Sequence, residues 1–294
     1  MSSLVTAAMV QQFGSNFHVL GQQMVSRMEG LVRVERGIVG QSKTVERIGK
    51  TEAYDIVSRH SDTQYVNTPH SRRWIDLGDK GWADLVDELD KIKMLADPTS
   101  PYARMGVAAL NRKKDAIIYA AARGTARTGS GTQVLPSAQK IAASSSGFTL
   151  AKLLAAKEIL DANEVDAEET GMSVDGQTMS QRLVVTNTAG ISDLLNTTEI
   201  KSADYNTVQA LAHGKVNDFL GFKFIRYEGL AASSTTRYGL AFGRNSVALG
   251  IGADIVSSID VLPGKNMSVQ VYARMSLGAV RVEDEGVVEI AFVV

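Results

Sequence analysis

The stretch Ser100–Gly124, SPYARMGVAALNRKKDAIIYAAARG, decides how the rest of the chain is read. Ser100 before Pro101 is an N-cap and first-turn pair, because the serine oxygen accepts a bond from an orphan backbone N–H and proline has no N–H to leave unpaired. Gly124 supplies a C-terminal stop. Between them lie about 22 residues with no further proline, a rod of roughly 33 Å at the helical rise. That is about twice the usual helix length of roughly 11 residues. Val107, Leu110, Ile117, Ile118 and Ala121 fall near one stripe, so one face is expected to be buried. Arg112, Lys113, Lys114 and Asp115 interrupt that stripe with a charged turn, expected to face water or another chain.

Immediately upstream, GWADLVDELDKIKML (Gly81–Leu95) places Trp82, Leu85, Val86, Leu89, Ile92 and Leu95 at helical spacing with acids opposite. This predicts an amphipathic helix ended by Asp97 and Pro98. Further upstream, KTVERIG (Lys43–Gly49) and RRWIDLG (Arg72–Gly78) alternate as strands with one wet face. The polar segment between them, EAYDIVSRHSDTQYVNTPHS, has too few apolar residues for a core, so a long hairpin leaving the body of the protein is expected. In the first 40 residues, Phe13, Phe17, Leu20, Met24 and Met28 recur at spacings of three and four, which predicts a helix ending at Gly30. Two readings fit this region: an arm that packs on something else, or a helix closing the same domain.

Downstream, Thr125–Gly147 is rich in Gly, Ser and Thr and reads as loop with short strands. FTLAKLLAAKEILDAN predicts a helix capped by Thr149, with Leu150, Leu153, Leu154, Ile159 and Leu160 as its apolar positions. An acidic loop (Glu164–Gln177), the strand RLVVTN, a short helix over 189–195, another short helix and a strand over 221–227 give the alternation of a compact α/β or α+β module. The C-terminal part is rich in strands: RYGLAFGRNSVALGIG, NMSVQVYARMSLGAVRV and GVVEIAFVV alternate apolar with polar residues. Asp284, Glu285 and Gly286 form the last turn, and Pro263–Asn266 mark a loop after a strand over 258–262.

At 294 residues and 44% hydrophobic content the chain has ample material for a core. A net charge of -1 and a pI near 6.4 exclude a general electrostatic footprint for nucleic acid. The absence of cysteine rules out disulfides and thiolate metal sites. The N-terminus lacks the basic start and apolar core of a signal peptide, and no run of 18 apolar residues exists, so a soluble chain made in the cytoplasm, with no membrane partner, is expected.

No stretch argues for catalysis. Gly49-Lys50-Thr51 spell the end of a phosphate-binding loop, but Thr44 stands where the motif needs its first glycine, and the context is a polar hairpin. Gly129 and Gly131 read as a turn. Asp166, Glu168, Thr170 and Gly171 occupy calcium-loop positions, yet Gln177 stands where a bidentate Glu is required, so a solvated loop is favoured. His18, His60, His70 and His213 are scattered singly. Catalytic, cofactor-binding and metal-binding residues are therefore all expected to be none.

The order of parts resembles the major capsid proteins of tailed bacteriophages, with an α+β fold of the Hong Kong 97 type. KTVERIG and RRWIDLG look like its extended β-hairpin loop (41–81), which follows an N-terminal arm (1–40). Ser100–Gly124 looks like the spine helix (100–124), and RLVVTNTAGISDLL with HGKVNDFLGFKFIRYEGL like the axial domain (133–245). IDVLPGKNM and the closing strands look like the peripheral domain (82–132 and 246–294).

The resemblance implies a structural protein that self-assembles, as pentamers and hexamers, into an icosahedral shell: a prohead, then a mature head enclosing double-stranded DNA without sequence specificity. Arm and extended loop would lie across neighbouring subunits, the axial domain would gather at five-fold and six-fold axes, and the peripheral domain would meet at three-fold contacts. Implied partners are a scaffolding protein, separate because only about 40 residues precede the hairpin, and a portal protein, while a decoration protein is left as an open option. The implied location is the virion capsid, assembled in the host cytoplasm. Lys43, Lys50 and Asn266 lie where some members form inter-subunit crosslinks, but no matching motif assigns one here. Alternatives are an encapsulin-type shell of the same fold and a soluble α/β enzyme with an unrecognised site.

Overall fold

The computed structural model describes residues 20–56, 58–60, 62–86, 99–165, 173–174, 177–178, 182–196 and 218–294. In chain order, β1 (Arg33–Arg36), β2 (Ser42–Ile48), β3 (His70–Asp76) and β4 (Gly78–Val86) precede a long helix, α1 (Thr99–Arg123). Short strands β5 (Ala126–Arg127), β6 (Thr132–Gln133) and β7 (Lys140–Ile141) lead to α2 (Leu150–Ala162). Then come β8 (Ser173–Val174), β9 (Gln177–Thr178), β10 (Arg182–Thr186) and α3 (Thr188–Asn196). The chain continues through β11 (Asp218–Phe219), β12 (Phe222–Arg226), β13 (Ala232–Ser233) and β14 (Thr236–Gly243), and closes with β15 (Val247–Leu262), β16 (Ser268–Arg281) and β17 (Val287–Val293).

The described residues fall into two compact units. The first holds 20–26, 79–86, 99–113 and 253–276. Its strands lie in the order β15-β16-β4, and a single 3-10 turn, Pro263–Lys265, joins β15 to β16 with Asn266 left-handed at φ 50°. Here the sequence reading needs correction. Trp82, Leu85 and Val86 lie on strand β4 and not on a helix, and the remaining residues of that expected helix, 87–95, lie outside the described residues. Pairing with β16 outweighs the local 3.6-residue spacing, as tertiary context commonly does for propensity. Trp82 lies against Gly106 of α1, where a Cβ would stand 2.4 Å from the indole, so this close approach of helix to strand requires glycine.

The second unit holds the described residues of 27–78, 114–252 and 277–294. Its main sheet runs β11-β12-β10-β14-β17-β7, with β13 paired to β14. β10 pairs parallel with β12 and antiparallel with β14, and all five of its residues are buried, as a central strand covered on both faces should be. Leu153, Ala156 and Leu160 of α2 are fully buried, and Phe148 meets Phe292 of β17 edge-on at 5.2 Å. Thr149 occupies the N-cap position of α2, but its side chain makes no capping bond. Lys152 instead gathers the preceding loop by donating to the carbonyls of Ala143, Ser146 and Gly147.

Helix α1 extends over the expected span and stops where Gly124 donates to the Ala120 carbonyl at 2.8 Å, a place where a Cβ would meet that oxygen at 2.6 Å. Its buried face differs from the expected stripe. Ala108, Leu110, Ile118, Tyr119 and Ala122 are buried, Ile117 only partly. The charged turn does not simply face out: Lys114 is 2% exposed and Asp115 fully buried. Upstream, the described part of the expected N-terminal helix, 20–28, is not helical, and a 3-10 turn occupies Glu29–Leu31. Phe13 and Phe17 lie outside the described residues, as does the short helix expected before Asp218.

Candidate functional site

The hairpin of β2 and β3 runs from a buried base to an exposed loop. The two strands pair antiparallel from Ser42↔Asp76 to Ile48↔His70, and Gly49 closes the ladder by donating to the Pro69 carbonyl at 2.8 Å. Near the base, alternation points Val45 and Ile75 into a core cluster with Ala126, Ala248, Val280 and Val282. Beyond Gly49 the character reverses. Among the described residues of 51–66 every one is exposed, including Tyr54, Ile56, Tyr65 and Val66, with Tyr65 92% accessible. Large apolar side chains left in water on one loop are the kind of surface suited to contact with another molecule.

Three sets of polar contacts fasten the hairpin. Arg73 is buried and donates to Asp284 at 2.6 Å. The same carboxylate accepts from Arg281 at 2.6 Å, and Arg281, with no exposure at all, also donates to the carbonyls of Ala122, Gly124 and Gln133. One buried guanidinium thus covers the C-terminal carbonyls of α1, where the helix dipole favours a cation. A shared carboxylate joins it to the hairpin. On the other flank, Arg127 donates to Asp76 at 2.7 Å and lies 5.1 Å from the Trp74 ring centroid. At the outer end of the ladder, Lys50 donates to Glu164 at 2.7 Å and to the Asn163 carbonyl at 3.0 Å.

Lys50 also borders an open pocket of about 660 Å³ in the second unit, whose wall carries Arg47, Asn163, Glu164, Glu283 and Glu285. The Glu164 carboxylate raises the pKa of the Lys50 ammonium, and Lys50 lowers that of Glu164. Glu283 is an exposed residue, yet desolvation of its carboxyl at the pocket wall pushes its pKa up, against the opposing charge of Arg47.

The motifs weighed from sequence fall as follows. Gly49, Lys50 and Thr51 are exposed at the end of a hairpin ladder, with no strand-to-helix turn around them. Gly129 and Gly131 lie in the β5–β6 turn, where Thr128 donates to the Gly131 carbonyl. His60 and His70 are exposed, while His18, His213 and the acidic positions Asp166, Glu168, Thr170 and Gly171 lie outside the described residues. Among the described residues no group of His, Asp and Glu could hold a metal ion. Of the crosslink candidates, Lys43 is paired with Glu35 at 2.8 Å and Asn266 sits in the left-handed turn after β15. The Arg73–Asp284–Arg281 set is not legible in the sequence, because Arg73 and Asp284 are separated by 211 residues.

A second exposed apolar group lies in the first unit. Val256, Ile259 and Val261 on β15 and Met267 after the turn are each about half accessible, at 52%, 53%, 52% and 52%.

The family model described as "Phage capsid protein" matches residues 5–294. No curated protein matches the chain. Among solved structures, the capsid of the cyanophage P-SCSP1u is similar with a TM-score of 0.75 at 16% identity, covering 97% of this chain and 93% of that one. The head of the Helicobacter pylori bacteriophage KHP40 has a TM-score of 0.74 at 11% identity, covering 99% and 98%. The capsid of a native GTA particle has a TM-score of 0.67 at 13% identity, covering 100% of both chains. At such identities the likeness speaks for the fold.

Proposed function

Because this chain belongs to the phage capsid protein family, we propose that it builds an icosahedral shell from pentamers and hexamers of itself, first as a prohead and then as a mature head around double-stranded DNA. That it is a structural protein of a capsid shell follows from the family and from the shared Hong Kong 97-type α+β fold. The family match favours neither the encapsulin-type shell nor the soluble enzyme.

In the proposed arrangement the segments 1–40, 41–81, 82–132 with 246–294, and 133–245 serve as arm, extended loop, peripheral domain and axial domain. The observation that carries the reading is the hairpin: anchored at its base by buried charge, it offers Tyr54, Ile56, Tyr65 and Val66 to a neighbouring subunit. Many such contacts, individually weak, sum to a stable closed shell. A scaffolding protein and a portal protein are its further partners, and the shell surface is open to a decoration protein. DNA is retained by enclosure, in keeping with the near-neutral chain, and assembly takes place in the host cytoplasm.

Expressing the full chain with and without the phage's scaffolding and portal proteins, and imaging the products by electron microscopy, tests this. Closed shells whose size and regularity depend on those partners are the expected result. A chain that stays monomeric under every assembly condition overturns the proposal.

A further inference from the structure

The turn of α1 that carries Lys114 and Asp115 is buried charge in mid-helix, where backbone groups are already paired and cannot neutralise it. Within the second unit, the chain just before β1 supplies the partners. The Asp115 carboxylate accepts from the backbone N–H of Arg27 at 3.0 Å and of Met28 at 3.1 Å. Lys114 donates to Glu29 at 2.9 Å, the Met28 side chain is fully buried, and Arg27 donates to the Arg226 carbonyl at 2.6 Å. Within the first unit, Asn111 donates to the Met24 carbonyl at 2.9 Å, and Arg112 to the Gln22 side chain at 2.7 Å and the Gln23 carbonyl at 3.2 Å. Asn111 and Arg112 thus hold Gln22–Met24 in the first unit, and Lys114 and Asp115 hold Arg27–Glu29 in the second.

We propose that each subunit clasps its own segment Arg27–Glu29 through Lys114 and Asp115 before assembly, so that only the chain upstream of Arg27 reaches a neighbouring copy. The physical reason is the cost of the alternative: a segment that left for a neighbour would take the partners away from two charges on the buried face of the helix, and a buried charge stripped of its partner is strongly unfavourable. The Arg112–Asp115 turn is then a receptor for the subunit's own backbone, and the arm that crosses between subunits ends before Arg27. This inference rests on the shell reading above.

Hydrogen exchange on the full-length, unassembled protein tests the clasp without requiring a shell. The amides of Arg27 and Met28 are expected to exchange at least about a hundredfold slower than in an unfolded chain, the protection of a bond whose opening uncovers a buried charge. Free-chain exchange at both amides before assembly overturns the proposal, whether or not shells form later. Complementation then separates one copy from two. Glu29→Lys and Lys114→Glu are each expected to abolish shells, the double variant in one chain to restore them, and co-expression of the two single variants to leave them absent. Shells restored by co-expression would place the pair between copies and overturn the proposal, as would two unimpaired single variants. If wild-type chain forms no shells at all, the shell reading fails while the exchange measurement still decides the clasp.

Discussion

Tyr119 shows how a single side chain in the long helix ties distant strands to it. Its hydroxyl donates to the Tyr238 carbonyl at 2.6 Å and accepts from the Ala231 N–H at 3.0 Å, while the ring lies 5.4 Å from that of Tyr227. Burial pushes its pKa up to about 12. Removing the hydroxyl orphans one donor and one acceptor, so Tyr119→Phe is expected to cost about 1–3 kcal/mol in urea unfolding near pH 8. The unfolded chain loses this proton first, at about pH 10. Wild-type stability should therefore fall as pH rises from there toward about 12, and the gap to the variant should narrow at pH 11. Glu283 has the same sign in another window. Its raised pKa means that the native state holds the proton longer than the unfolded chain, so ionisation weakens the fold as pH rises above the ordinary carboxylate range. Glu283→Gln is expected to raise the urea midpoint at pH 7, with no gain below about pH 4. Neither role was legible in the sequence. Tyr119 lies 112 residues from one partner and 119 from the other, and local spacing carries no information about such bonds.

Among the elements, the hairpin depends on one carboxylate. Asp284 sits between two buried guanidiniums, so Asp284→Asn leaves Arg73 and Arg281 facing each other with the compensating charge gone. The expected loss is about 3–5 kcal/mol. It should appear as a lower unfolding midpoint together with faster proteolysis near the hairpin base; an unchanged midpoint would remove Asp284 from the anchor. The strands themselves were readable, because β2 and β3 alternate with period two and that pattern is local. β4 was not. Trp82, Leu85 and Val86 fit a helix and a strand equally well by spacing, and its place beside β16 made the choice.

For the molecule as a whole, the division of labour between anchored base and exposed tip predicts separable effects. Replacing Tyr54, Ile56, Tyr65 and Val66 together with serine touches only exposed positions, so the stability of the unassembled chain should change by no more than about 0.5 kcal/mol per site. Shells should nevertheless disappear in electron micrographs; normal shells would move the assembly contacts elsewhere. By itself the sequence determined the long helix with its glycine stop, the hairpin strands and the alternating C-terminal strands, since each is written in the periodicity and punctuation of neighbouring residues. It also determined that the chain is poor in catalytic motifs and rich in parts that need partners. Tertiary structure alone decided that Lys114 and Asp115 turn inward, that Arg281 closes the end of α1, and that 81–86 is strand. A buried charge or an ambiguous apolar run takes its meaning from the group it meets, and those groups lie far away along the chain.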